Sequence, residues 1–135
     1  PYRTNRYALG EAMYAKMGVG REDKAARYAH LARNFDFFDA PAAFFCFVDR
    51  KMGSAQWSDL GMFLQTFMLL AVEAGLDTCP QEAWANHWKA VQNFVQAPDN
   101  EMLFCGMAIG KRDETKNVNT LRSERMPFDD WGKFV

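Results

Sequence analysis

Cysteine and histidine are scarce in this sequence. The three cysteines, Cys46, Cys79 and Cys105, are widely spaced and form no C-x-x-C pair. An odd count at such spacing argues against a disulfide framework or a zinc knuckle. His30 and His87 stand alone, and neither is assigned to a metal. No stripe of Lys and Arg develops. The 16 basic and 17 acidic residues leave a net charge of −1, so nothing predicts a footprint on a nucleic-acid backbone. No apolar run reaches the ~20 residues that a bilayer span requires. The longest, around residues 62–72, is interrupted by Gln65 and Thr66, so no membrane role is expected. The amino terminus reads PYRTNR, without an apolar signal segment or a starting Met. It is expected not to be a native beginning. With free cysteines and no leader, the cytoplasm is the expected compartment.

What the chain has in surplus is apolar surface. Hydrophobic residues make up 49% and aromatics 15% of 135 residues. A domain of this length buries roughly two thirds of its unfolded surface. The excess therefore points to a tight core, a subunit interface or a cofactor pocket. Cys46 and Cys105 lie inside apolar runs and read as small buried hydrophobes.

Periodicity predicts a helix over residues 4–17, with Leu9, Met13 and Met17 on one face and Gly18 and Gly20 ending it. A second helix is expected over about 21–35. Glu22 and Asp23 would sit in its first turn, and Tyr28, Ala32 and Phe35 would be its apolar face. AAFFCFVD, residues 42–49, is a continuous apolar run that suits a strand covered on both faces. The longest helix spans about 54–74 and is apolar nearly all round, which predicts burial in a core or against another subunit. Residues 75–82 read as a loop entering a new helix, with Pro80 at its first position. Trp84, Trp88, Val91 and Val95 would be the core face of that helix. MLFCGMAIG, residues 102–110, is the second strand. Two strands alone make a marginal sheet, so the chain is expected to lack sheet partners. An absent N-terminal segment, a second chain or both would supply them.

The order of segments resembles the nitroreductase family, in its nitrobenzoate-reductase-like branch. The likeness is carried by FDFFDAP (35–41), WSDLGMFLQTFMLLAVEAGLDTCPQEAW (57–84), MLFCGMAIGKRD (102–113) and NTLRSERMP (119–127). Residues 2–35 look like the helical insert of that branch. Together these cover nearly the whole chain. The family's Arg/Ser-rich opening and its Asn-x-Gln-Pro-Trp stretch do not occur here. The resemblance is thus to the C-terminal portion only, with the N-terminal part missing. It implies an α+β, nitroreductase-like fold with a central mixed or antiparallel sheet flanked by helices. One partial domain is expected, with a helical insert at about 2–38, core strands and helices at about 42–111, and a C-terminal arm at about 112–135.

The resemblance further implies an FMN-dependent oxidoreductase that works as a homodimer. Hydride from NADH or NADPH would pass through the flavin to a small aromatic acceptor, a nitroaromatic or a quinone. No acid, base or nucleophile of the chain is required, because the flavin carries the chemistry. The backbone at Pro80, Gln81 and Glu82, with Cys79 before it, is placed beside the isoalloxazine ring. Read alone, the segment is an ordinary connection into a helix. A helix start there would offer partial positive charge to a reduced flavin. Ala83 stands where many relatives have Gly, which puts the closeness of the backbone approach in question. Arg125, in the family's Arg-x-Pro ending, is placed at the FMN phosphate, which a guanidinium matches as a fork. Ser123 and Arg122 are its neighbours. Read alone, Arg125 is a solvated residue of a polar tail. Cys79 could be a redox thiol if its position lowered its pKa, but it reads better as a simple loop residue. The rival readings are a flavin reductase or a relative with another acceptor, and an inactive truncated or flavin-binding fragment.

Overall fold

The computed structural model describes residues 2–135. The regular elements are α1 (Tyr2–Lys16), α2 (Lys24–Ala32), β1 (Ala42–Asp49), α3 (Ser54–Glu73), β2 (Asp77–Gln81), α4 (Trp88–Val95) and β3 (Glu101–Gly110), with short 3-10 turns between and after them. The expected α+β class holds. The three strands form one antiparallel sheet in the order β1-β3-β2. By internal packing the chain falls into two compact units. One runs from Tyr28 to Arg112, and the other joins the first 27 residues to those from Asp113 onward.

In the first unit, β3 is the central strand, and its near-continuous apolar sequence follows from cover on both faces. Cys105 and Met107 point to one side, where they meet Cys46 of β1 and Leu64 of α3 in the main core. Phe44 and Phe67 close that core edge-on, with ring centroids 5.0 Å apart. Gly106 points to the other side, where the turns before α4 and α4 itself lie against β3. Cys46 and Cys105 are buried, as expected of small hydrophobes.

Helix α3 begins where the Gly53 N–H donates to the Gln56 side chain at 3.1 Å. It ends on Gly75, whose φ of +75° is open to glycine at little cost. There the Leu76 N–H reaches the Ala71 carbonyl at 2.8 Å and the Gly75 N–H reaches Val72 at 3.0 Å. This pair of bonds satisfies carbonyls left over at a helix end. The all-round apolar surface of α3 is only partly used inside the chain. Leu64 and Ala71 are buried, while Met62, Phe63, Leu69, Leu70 and Val72 are exposed.

Three expectations are corrected. The described residues form three strands, not two, because residues 77–81 form β2 rather than a loop into a helix. A strand of five residues containing Asp and Pro has little strand propensity of its own. Pro is nevertheless tolerated on an edge strand, and β2 is at the edge. The helix expected from Pro80 begins only at Trp88, after 3-10 turns over Glu82–His87. Of its expected core face, Val91 is buried, whereas Trp88 and Val95 are 40% exposed. The second helix is also shorter than periodicity suggested. Asp23 lies outside it as a cap, its Oδ1 accepting the Ala26 N–H at 2.9 Å. At the other end, Phe37, Phe38 and Asp39 take φ of 52°, 55° and 62°. Left-handed backbone costs a non-glycine residue about 1–2 kcal/mol, so this bend exists only because tertiary contacts hold it.

In the second unit, Arg27 ties the start of α2 to α1. Its guanidinium donates to both carboxylate oxygens of Glu11, at 2.8 and 3.0 Å. It also donates to the Gly20 carbonyl at 3.1 Å and lies 4.2 Å from the Tyr14 ring centroid. The Arg27 hydrogen bond, opposed by burial and aided by the Arg27 and Arg21 charges, holds the Glu11 carboxyl below its usual range. A depressed carboxyl contributes stability above its unfolded pKa and loses it as pH falls through the folded value. Glu11→Gln is therefore expected to lower the thermal midpoint at neutral pH. The gap from the parent protein should close in acid, below the ordinary carboxylate range of about 4. A gap that persists unchanged in acid would show that the ion pair is not its source.

Candidate functional site

The expected ring-facing residues, Cys79 to Glu82, lie on β2 and the residue after it. The strand is pinned at both ends. At its start, Asp77 accepts the Arg112 N–H at 3.0 Å and the Arg112 guanidinium. These bonds hold the Asp77 carboxyl below its ordinary value. At its end, Gln81 is 2% exposed, and its Nε2 donates to the Asn34 carbonyl at 2.9 Å.

The register fixes which backbone groups face outward. Pro80 stands opposite Met107 and Gln81 opposite Gly106. Pro80 has no N–H to give, so the ladder bonds fall on its neighbours Cys79 and Gln81. The Gln81 carbonyl then faces β3. The described peptides are all trans, and a trans peptide sets the next N–H on the opposite side. The Glu82 N–H therefore points away from the sheet at its free edge. No α-helix starts at Pro80, so a helix dipole does not supply the partial charge expected here. A backbone donor directed outward from a pinned strand takes its place.

Behind that edge lies an aromatic cluster that periodicity did not disclose. The Trp84 ring packs at 5.3 Å from Phe35, 4.9 Å from Phe37 and 5.0 Å from Phe45. A Cβ on Gly106 would come within 2.5 Å of Trp84 Cδ1 and 3.0 Å of Phe37 Cε1. Glycine at 106 is what lets the indole lie on the sheet. The cluster has a polar flaw, because Gln81 Oε1 and Trp84 Nε1 are both buried without a hydrogen-bond partner. Such a group costs about 1–3 kcal/mol.

Cys79 is exposed, yet the protein around its sulfur pushes the thiol above its ordinary value. A raised thiol is the opposite of what a nucleophilic cysteine needs, so its environment favours the simple strand residue. Cys105 is buried and is pushed up to about 11 by desolvation, with the nearby Cys46 and Glu82 adding to it.

Ser123 and Arg125 lie in the other compact unit, on an irregular stretch. Arg125 donates to the Ser123 hydroxyl and to the Ser123 carbonyl at 3.2 Å. Arg122 is occupied with the Asn119 and Leu121 carbonyls, at 3.0 and 2.9 Å. Arg125 makes no ion pair among the described residues. The residue is exposed. Asn34, Trp84, Gly106 and the Asp77–Arg112 pair were not singled out as site residues from sequence. All four act through partners 35 or more residues away along the chain or across the sheet, or through absence of a side chain, which local patterns do not report. Among the described residues no group of three or more His, Cys, Asp or Glu could hold a metal, and no helix is long and apolar enough to cross a membrane.

Residues 3–111 match the model of the nitroreductase family. The chain is 37% identical over 124 residues to the 4-nitrobenzoate reductase of Pseudomonas putida, an alignment spanning 92% of this chain and 55% of that protein. It is 34% identical over 139 residues to the chloronitrobenzene nitroreductase of Comamonas testosteroni, covering 100% of this chain and 60% of the relative. Among solved structures it is similar to the FMN and NADPH-dependent nitroreductase NfnB from sphigopyxis sp. strain HMH. The TM-score is 0.95 and the identity 41%, over 100% of this chain and 60% of that one. The chain thus spans a little over half the length of the relatives it matches.

Gly106→Ala is expected to destabilise the protein by about 1–3 kcal/mol, the usual range for overpacking. A urea midpoint unchanged from the parent protein would show that Trp84 and Phe37 give way freely.

Proposed function

The chain belongs to the nitroreductase family, and on that footing we propose that it forms the C-terminal part of an FMN-dependent oxidoreductase subunit that reduces nitroaromatic or quinone-type acceptors with NADH or NADPH. The observation that carries this reading is the place of Pro80 and Gln81 on the edge strand β2, opposite Met107 and Gly106, from which an outward Glu82 N–H follows. When bound, FMN supplies the redox chemistry, taking a hydride from the nicotinamide and passing it to the acceptor.

The residues of the chain present fit such a group in two respects. The Pro80–Glu82 backbone offers a fixed donor to an electron-rich ring edge without any side chain having to move. Arg125 offers a guanidinium with no carboxylate partner among the described residues, suited to phosphate oxygens, with the Ser123 hydroxyl beside it. Cys79 contributes only its backbone and packing. The names of the relatives, a 4-nitrobenzoate reductase and a chloronitrobenzene nitroreductase, support the substrate class.

A homodimer follows from the same reading. The exposed Phe63, Leu69, Leu70 and Val72 of α3 make an apolar surface that a second subunit would cover. On this reading residues 1–135 are one partial domain of a cytoplasmic enzyme, with the helical insert at about 2–38, the core at about 42–111 and the C-terminal arm at about 112–135.

The direct test is colour. The purified protein is expected to carry a yellow chromophore close to one per chain, or to acquire it on addition of FMN. A protein that stays colourless with FMN present would sink the reading. Arg125→Ala is expected to weaken FMN binding by about 1–3 kcal/mol, as for loss of a charged hydrogen-bond partner. Flavin-fluorescence titration measures it, and an unchanged affinity would remove Arg125 from the phosphate.

A further inference from the structure

We propose that the Gln81 side chain is a positioning residue that fastens the aromatic segment 35–39, left-handed at residues 37–39, to the edge of β2, so that segment and edge hold one another in place. The consequence for hydride transfer rests on the flavin reading above, whereas the fastening itself does not. Gln81 is 2% exposed. Its amide orientation is set by its partner. The Asn34 carbonyl, 2.9 Å away, can only accept, so nitrogen faces it and oxygen is left over. That oxygen is buried without a partner, as is Trp84 Nε1 three residues on. Packing alone would be served as well by a hydrocarbon of the same length, which would strand no polar atom. The amide is therefore explained by the bond it makes, not by the space it fills.

That bond lands just before the strained bend. Phe37, Phe38 and Asp39 are left-handed, and Asp36 Oδ1 stabilises the bend locally by accepting the Phe38 N–H at 3.0 Å. Phe37 enters the cluster of Trp84 and Phe45, at 4.9 and 5.5 Å. The hydrogen bond from Gln81 and the stacking of Trp84 thus grip the segment from residues that flank Glu82 on either side. The peptide joining Gln81 to Glu82 is the one whose N–H points off the sheet edge. A change in the Gln81 side chain is transmitted to that N–H through one planar unit.

The test uses two variants of the FMN-loaded protein. Gln81→Met keeps length and volume but removes the donor. Gln81→Glu keeps shape and can donate to Asn34 only when its carboxyl is protonated. In Gln81→Met, amide exchange at Phe38 and Ala40 is expected to accelerate roughly fivefold to tenfold, the equivalent of one hydrogen bond. Flavin reduction by NAD(P)H is expected to slow by a similar factor with little change in KM, as for a lost interaction that acts only during the reaction. Gln81→Glu should match Gln81→Met at neutral pH and regain exchange protection as pH falls and its carboxyl protonates. This recovery decides the matter even if Gln81→Met does not fold. Unchanged exchange at Phe38 and Ala40, or no recovery of Gln81→Glu in acid, overturns the fastening. Faster exchange with unaltered flavin reduction overturns the coupling and leaves Gln81 a structural residue. A protein that binds no FMN refutes the flavin reading instead, while exchange measured without flavin still decides the fastening.

Discussion

The indole of Trp84 lies against the backbone of β3 where residue 106 has no side chain, and the aromatic face of the Tyr28–Arg112 unit is arranged around that contact. With any Cβ at 106 the ring would be displaced from the sheet. Phe35, Phe37 and Phe45 gather on the ring that glycine admits. Phe37 reaches it only because the chain turns through left-handed backbone at residues 37–39. Strain of this kind persists where surrounding contacts over-determine it. Aromatic pairs each add about 0.5–1.5 kcal/mol beyond buried area, which is the scale needed to offset the bend.

The long elements were legible because they carry their own signal. β1 and β3 announced themselves as unbroken apolar runs, and α3 as twenty residues with glycine at its end. β2 did not, because Asp77, Thr78, Cys79, Pro80 and Gln81 pair with β3 through backbone groups that any residue supplies. Its existence depends on a strand some 25 residues further on, and no local pattern encodes that. The end of α2 was overestimated for a related reason. Phe35 continues the helical spacing, but its ring is drawn to Trp84 and His87, and tertiary packing overrode the period. At residues 79–82 the expected helix start is a strand edge followed by a 3-10 turn. Donors expected from a helix start are supplied instead by the free edge of a strand.

The two ends of β2 are held by different chemistry. Asp77 and Arg112 make a charged clasp, half exposed and screened by salt. Gln81 makes a neutral, buried one, which salt does not reach. A strand so fastened loses little freedom when something binds along its edge, and preorganised donors bind with less ordering cost.

Pro80 leaves the outward donor to its neighbour, and it also acts on how chains meet. A free strand edge with regular donors and acceptors is a template on which another chain can build. A proline within so short an edge breaks that template, since a docking strand would find no N–H at Pro80, the fourth of the five residues of β2. Beside the apolar strand β3, which is prone to stack in a partly folded chain, this edge presents a donor at one point while resisting a whole docking strand.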